Sequence, residues 1–470
     1  MATLAKGLQG LPCTSAAAER WSCGKPAVKS LFLLPSEFKQ AAGAIQVWNR
    51  RRRRRLEQHL AVAASIEQFS SDDFEVERLL STYGYMNVSS YGGPPSADVM
   101  GVPGFDNFAA GLDRRDMNQM SALEMGEGAV QTRIYTGRIG RGQRMGTRVL
   151  LKAYPYATRG SEVDMMAVNE LVTHAALQEA AGGDHPNIVY LYGGFQTRAG
   201  EQWLVFRDNG QITGQEYAKN ASEATSTGEA VGQWDFWDRF DPDRPILRRK
   251  IFITKLLRGV FNGLAFMHAN GRLHQSLGPA SVTLNTMEER DAGYLVPQIR
   301  DLAFAVDVSD RGLAGTSALS DSWERRSSLP DLRDLSTESP TAALSAGLWR
   351  RAAAAGARTP FEKKAFGIAD DIYAGGLLLA YMVFVPLCEP GSIDGPSLQR
   401  LFENTFRLDI MAAREYCAAD DRWDKAVKFM DLDDGAGWQL LQAMMSPNYR
   451  TRPTAEAVLN HRFMTGDVLA

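Results

Sequence analysis

Cysteine is scarce in this chain. Only Cys13, Cys23, Cys388 and Cys417 occur in 470 residues, and no two stand in C-x-x-C spacing. That usage argues against a disulfide scaffold and against a zinc site. Long apolar runs are also missing: nothing approaches the ~18 residues needed to span a bilayer. The longest candidate, Leu377 to Cys388, is interrupted by Pro386 and reads as a buried helix, so no transmembrane segment is expected. Charge of one sign is not in excess, since the formal net charge is −3. Nucleic acid is therefore not expected as a partner. What the chain does have is 44% hydrophobic residues over a length that suits two or three lobes or domains.

Acids are nearly absent from the first 49 residues, where only Glu19 and Glu37 occur. An unbroken arginine run, Arg50 to Arg55, follows, and then Ala61-Val62-Ala63-Ala64-Ser65. Basic, acid-poor, Ser- and Ala-containing N-termini are typical of organelle transit peptides, and residues 1–64 are read as one. A basic tail without targeting function and a nuclear-localisation run are the alternatives. Residues 65–118 hold turn signals such as Gly92-Gly93-Pro94-Pro95 and read as a linker or loose extension.

From residue 119 the pattern becomes strand-like. Thr132–Ile139 and Thr147–Tyr154 are β-rich runs flanking a glycine-containing turn, Gly140 to Gly146. Glu162–Ala180 places Val168, Leu171, Val172 and Ala175 near helical spacing. Strands are expected around Ile188–Tyr192 and Trp203–Phe206, and mostly helix thereafter. The order predicts a small β-rich lobe over 119–208 and a larger helical lobe over 209–465. Residues 309–360 are rich in Ser, Arg, Asp and Ala without periodicity, and read as a disordered insertion.

Several residues could carry chemistry. Gly126 and Gly128 form a G-x-G before a strand; glycines let backbone N–H groups face an anion, although such a pair is more often a plain turn. Lys152 ends the apolar run Val149-Leu150-Leu151, where a buried ammonium needs a partner. Glu170 sits on the following helix, eighteen residues on; a strand-end Lys reaching solvent and a solvated helix-face Glu are the plain readings of the two. His185 has no second metal ligand near it in sequence. Asp301 follows Arg300 in a position that also suits a turn aspartate bonding its own backbone. The aromatics Trp234, Phe236, Trp237 and Phe240 suit lobe-junction packing better than a docking patch.

Taken in order, these segments resemble the protein kinase superfamily over roughly residues 120–465. Val149-Leu150-Leu151-Lys152 is similar to V-A-I-K, and His185-Pro186-Asn187-Ile188-Val189 is a signature of the family. His274-Gln275-Ser276-Leu277-Gly278-Pro279-Ala280-Ser281 has the outline of the catalytic loop H-R-D-L-K-P-x-N. Asp371-Ile372-Tyr373-Ala374-Gly375-Gly376 resembles D-x-W-S-x-G. Asp371 to Ala380, with Gly435-Ala436-Gly437-Trp438, is similar to the plastid state-transition (thylakoid) Ser/Thr kinases of plants and green algae.

The resemblance implies an α+β, bilobal protein-kinase fold and the cofactors ATP and Mg²⁺. Nucleotide would be held by Gly126, Gly128, Lys152, Glu170 as the helix-borne partner of that lysine, and the hinge pair Phe206 and Arg207, with Phe206 at the gatekeeper position. Metal would be held by Asp301, at the D-F-G position, and by Ser281 in place of asparagine. The departures are concentrated in the loop. Ser276 stands at the position of the proton-accepting aspartate, Gly278 at that of the lysine, and Gln275 at that of the arginine. General-base catalysis is worth ~10²–10⁴-fold, so the expected protein is a plastid, thylakoid-associated pseudokinase that binds ATP and protein partners without efficient phosphoryl transfer. An active Ser/Thr kinase with non-standard residues and a nucleotide-free interaction module are the alternatives.

Overall fold

The computed structural model describes residues 67–84, 131–156, 162–227, 243–309, 312–313 and 340–466. Residues 1–64, read above as a transit peptide, Gly126, Gly128 and the aromatics at 234–240 lie outside them. The described residues all fall within one unit, Gln58–Ala470.

The smaller lobe is a sheet with one helix against it. Its strands are β1 (Glu67–Gln68), β2 (Phe74–Gly84), β3 (Gln131–Ile139), β4 (Arg148–Tyr154), β5 (Leu191–Gln196) and β6 (Gln202–Arg207). They run in the order β1-β5-β6-β4-β3-β2, antiparallel except for the short β1–β5 pair. Helix α1 (Glu162–Ala181) crosses one face. Side chains alternate across a strand, and β4 shows the consequence. Val149 and Leu151 enter the outer cluster with Ile139, Tyr192 and Val205. Leu150 and Tyr154 enter the inner one with Met166 and Ala167 of α1. Lys152 lies between Leu150 and Tyr154 in that alternation, so it faces α1.

Two expectations are corrected in this part of the chain. Residues 67–84 are not a loose extension: β2 pairs with β3 from Phe74↔Ile139 to Gly84↔Gln131. The pairing is broken by irregularities between Val76 and Arg78 and between Leu79 and Ser81. Bulges shift the inside-outside alternation, and Val76 and Leu79 are half-exposed. Such an edge strand carries no clean period-two signal. The strand expected at Ile188–Tyr192 starts later, at Leu191; Ile188 instead bridges to Ile299 in the other lobe.

The larger lobe is built on two long helices. Helix α3 (Arg244–Ala269) follows α2 (Gly214–Thr227), and α5 (Pro360–Leu387) follows α4 (Pro340–Ala354). Phe252, Leu256, Val260 and Phe261 of α3 pack with Ile372, Leu379, Val383 and Phe384 of α5 in the main core. Helix α5 starts at a capping box: Thr359 Oγ1 accepts from Glu362 N–H while the Glu362 carboxylate accepts from Thr359 N–H. Pro360 sits in the first turn, where its missing N–H costs nothing. By length and composition α5 is apolar enough to cross a membrane, but 78% of its most apolar stretch is buried in the fold. That matches the buried helix expected around Leu377–Cys388.

Between α3 and α4 lie the short strands that build the site: β8 (Arg272–Leu273), β9 (Val282–Leu284), β10 (Gln298–Ile299) and β11 (Val306–Asp307). β9 pairs with β10 on one side and with β7 (Ile212–Thr213) on the other, and β11 pairs with β8. The insertion expected to be disordered over 309–360 is in part ordered. Helix α4 buries Leu348 and Ala352, one turn apart, against Leu273, Val306 and Phe366. Its alanines favour helix, a local signal that the surrounding Ser and Arg obscured. The two-lobed α+β architecture is that of a protein kinase fold.

Candidate functional site

The site lies between the lobes, in a cleft walled by Ile134, Leu150, Val189, Phe206, Thr283 and Gln298. Its hinge is Arg207 to Gly210. Arg207 N–H donates to Tyr190 O at 2.9 Å. Gly210 has φ +144°, and a Cβ there would meet Leu284 O at 2.0 Å, so the hinge passes β9 closely only because this residue is glycine.

Charged groups gather at the inner end. Lys152 Nζ lies 2.9 Å from Glu170 Oε1 and 2.7 Å from Asp301 Oδ1, with the Lys152 side chain only 3% exposed. Tyr154 OH donates to the other Glu170 oxygen. Arg300 Nε lies 3.1 Å from Asp301 Oδ2. Burial pushes the Glu170 carboxyl up from its ordinary range, and the Lys152 ammonium opposes that shift. One turn along α1, burial and the same ammonium push His174 down to about 3, so its ring is neutral and packs edge-on to Phe206 at 5.2 Å.

Helix α1 is tied to the segment after Asp301 by Asn169. Its Nδ2 donates to Ala303 O and to Ala305 O, each at 2.8 Å. Asp301 itself adopts φ +67°, a left-handed conformation that Asp tolerates better than most residues. The turn Leu302–Phe304 follows it. Phe304 then joins the cluster under α1.

The loop from His274 hangs from one carboxylate of α5. Asp371 accepts from His274 N–H at 2.8 Å, Gln275 N–H at 2.9 Å, Gln275 Nε2 at 2.9 Å and the His268 ring at 2.9 Å. Burial alone would raise the Asp371 carboxyl; the hydrogen bond from His268 and the other contacts outweigh it and hold the group below its ordinary value. This anchoring accounts for Gln275, which sits at φ +60° where a non-glycine residue is uncommon. His274 is buried and pushed down by that burial, hence neutral. Its Nε2 faces Arg300 O at 3.1 Å and its Nδ1 faces Ser276 N–H at 3.2 Å, which fixes the proton on Nε2.

The two serines are committed to the protein's own backbone. Ser276 Oγ donates to Asp301 O at 2.9 Å. Ser281 Oγ donates to Gly278 O at 2.9 Å and accepts from Gly278 N–H at 2.9 Å, closing its own turn. Ser281 therefore does not fit the metal-holding role expected of it. Both oxygens of Asp301 already face cations, and no group of three His, Cys, Asp or Glu suited to a metal occurs among the described residues. The side chains present do not fit a Mg²⁺ site.

Of the residues singled out in the sequence, Lys152, Glu170, Asp301 and Phe206 converge on the cleft. Ser276 reaches it through Asp301. Arg207 borders it, but its guanidinium pairs with Asp184 and lies over the Tyr190 ring at 4.6 Å. Sequence reasoning missed Tyr154, Asn169 and Arg300 as members. Tyr154 was findable, being two residues from Lys152 on the same strand face. Asn169 and Arg300 directly adjoin Glu170 and Asp301, but nothing in their spacing announced a contact.

No family model matches the chain. Among characterised proteins it is similar to the serine/threonine-protein kinase STN7, chloroplastic, of Arabidopsis thaliana. The two are 24% identical over 315 residues, covering 63% of this chain and 49% of that protein. The chain thus spans about half the length of that relative. Distant as it is, this similarity agrees with the two-lobed fold, and together they support placing the chain with the protein kinase superfamily as a kinase-like protein.

Proposed function

We propose that the chain is a plastid pseudokinase, a regulatory scaffold that binds ATP in the interlobe cleft and does not transfer its γ-phosphate efficiently. The observation that carries this reading is the state of Ser276. A proton acceptor at that position needs a free basic oxygen, and the Ser276 hydroxyl instead gives its proton to Asp301 O. At neutral pH an alcohol is no substitute for a carboxylate as general base. Gly278 brings no cation, so the deficit is not repaired by its neighbour.

The binding half of the proposal is supported by the groups that persist. Lys152 is held at the cleft by Glu170, and a buried ammonium of this kind suits phosphate oxygens. Ile134, Leu150 and Val189 offer apolar lining for a flat base. The plastid reading is supported by the basic, acid-poor N-terminus and by the chloroplastic relative. Stromal or thylakoid protein partners follow from a scaffold role. A second reading, an interaction module without nucleotide, is favoured by the 2.7 Å Lys152–Asp301 pair, which already neutralises the cleft lysine.

A thermal-shift titration with ATP separates the two. Stabilisation that Lys152→Ala abolishes is the expected result. No shift at millimolar ATP would overturn nucleotide binding and leave the interaction module.

A further inference from the structure

Asp301 is bracketed by two cations of this chain. Lys152 Nζ faces Oδ1 at 2.7 Å and Arg300 Nε faces Oδ2 at 3.1 Å. The second contact puts a guanidinium on the carboxylate oxygen that a divalent cation would need. We propose that the cleft takes a nucleoside triphosphate without a divalent cation, the Arg300 guanidinium supplying the positive charge that a metal would otherwise bring to the phosphates. This rests on the nucleotide-binding reading above and deepens it.

Arg300 is placed for this by its backbone as well as its side chain. Its N–H donates to Ser281 O at 2.9 Å, and its carbonyl faces His274 Nε2 at 3.1 Å. Its Nε also lies 3.1 Å from Ala280 O. The side chain is 16% exposed and lines the cleft, so it is held yet reachable from the ligand side. Such pre-positioning lowers the ordering cost of binding an anion. A guanidinium also matches phosphate geometry through paired N–H donors, which a point charge does not.

The competing metal is disfavoured by the same contacts. Mg²⁺ demands near-ideal octahedral oxygen ligands and sheds water reluctantly. Here it would have to displace Arg300 from Asp301, and it would find Ser281 Oγ already bonded twice within its own turn. Within the charged cluster, Lys152 and Arg300 balance Glu170 and Asp301, so an incoming triphosphate meets no excess of negative charge.

The test is equilibrium binding of a fluorescent ATP analogue to the full chain, in EDTA and in excess Mg²⁺. Binding in EDTA that Mg²⁺ leaves unchanged or weakens is expected. Arg300→Gln, which keeps a donor for Ala280 O, should weaken binding in EDTA on the order of tenfold or more, as loss of a charge-assisted contact does. Arg300→Lys should lose less. Wild-type binding that appears only with Mg²⁺ would overturn the inference and leave the nucleotide site standing. Unchanged affinity of Arg300→Gln in EDTA would overturn it equally. Absence of binding under both conditions would overturn the nucleotide reading itself, and this inference with it.

Discussion

The Ser276 hydroxyl donates to the backbone carbonyl of Asp301, 2.9 Å away. The same loop position that would activate a substrate hydroxyl is thereby used to hold the cleft aspartate in its left-handed conformation. On the proposed pseudokinase reading, the site is ordered without being equipped for proton transfer.

Restoring a carboxylate at that position is therefore not expected to restore activity. Ser276→Asp places a negative charge against the Asp301 carbonyl and loses the hydrogen bond, at a cost of about 1–3 kcal/mol. Gly278 and Ser281 stay as they are. The expected outcome is a lower melting temperature and no transfer of label from γ-labelled ATP. Robust labelling by this single variant would show that only the one carboxylate was missing.

Removing Lys152 leaves Glu170 and Asp301 facing each other in a buried site. Breaking a buried ion pair from one side typically costs about 3–5 kcal/mol, so Lys152→Ala should unfold at a lower denaturant midpoint. The loss should shrink at mildly acidic pH, where the orphaned carboxylates take up protons. A deficit that grows on acidification would contradict the Lys152–Glu170–Asp301 account.

The buried imidazoles predict the pH dependence of stability. His174 titrates near 6.5 when unfolded and is pushed down to about 3 in the fold. Between these values the unfolded chain binds the extra proton, so stability falls as pH drops through that window and is fully present above it. His274 and Asp371, both held low, act in the same direction. Raised Glu170 acts oppositely, losing stability as pH rises. Denaturant midpoints measured from pH 7.5 to 5 should decline, and His174→Leu should flatten the decline by up to about 1.4 kcal/mol per pH unit. An unchanged slope would mean that His174 is not a buried neutral ring.

A second buried pair offers a control away from the cleft. Arg249 Nε lies 2.6 Å from Glu289 Oε1, both fully buried, and Tyr217 OH donates to the same oxygen at 3.0 Å. Arg249→Met should destabilise by about 3–5 kcal/mol, while Arg249→Met with Glu289→Leu should recover most of the loss. Calorimetric melting of the two variants decides it. A double variant as unstable as the single would assign the cost to packing instead of charge.

Much of this was legible in the sequence because it rests on local order. The β4 run ending in Lys152, the α1 helix bearing Glu170 and the capped, apolar α5 all carry their own periodicity or punctuation. The Lys152–Glu170 contact was expected from the resemblance of the strand lysine and the helix glutamate to the kinase pair, and the two groups meet at 2.9 Å. Other features depend on approaches between distant segments. Strand β2 is specified by pairing with β3 across residues 85–130, and its bulges erase the alternation that would reveal it. The Arg300–Asp301 contact needs the backbone of Arg300 pinned by His274 and Ser281, which no spacing rule encodes. Helix α4 had the alanines to be seen, yet its burial depends on Leu273 and Phe366 from elsewhere.

The central claim is that nucleotide is held but its phosphate is not transferred. It is tested most directly by giving the purified full chain γ-labelled ATP at a concentration that saturates its thermal shift, with a generic protein substrate present. The account predicts bound nucleotide and no label on either protein. Label that appears on the chain or the substrate, and vanishes with Lys152→Ala while the variant stays folded, would contradict it.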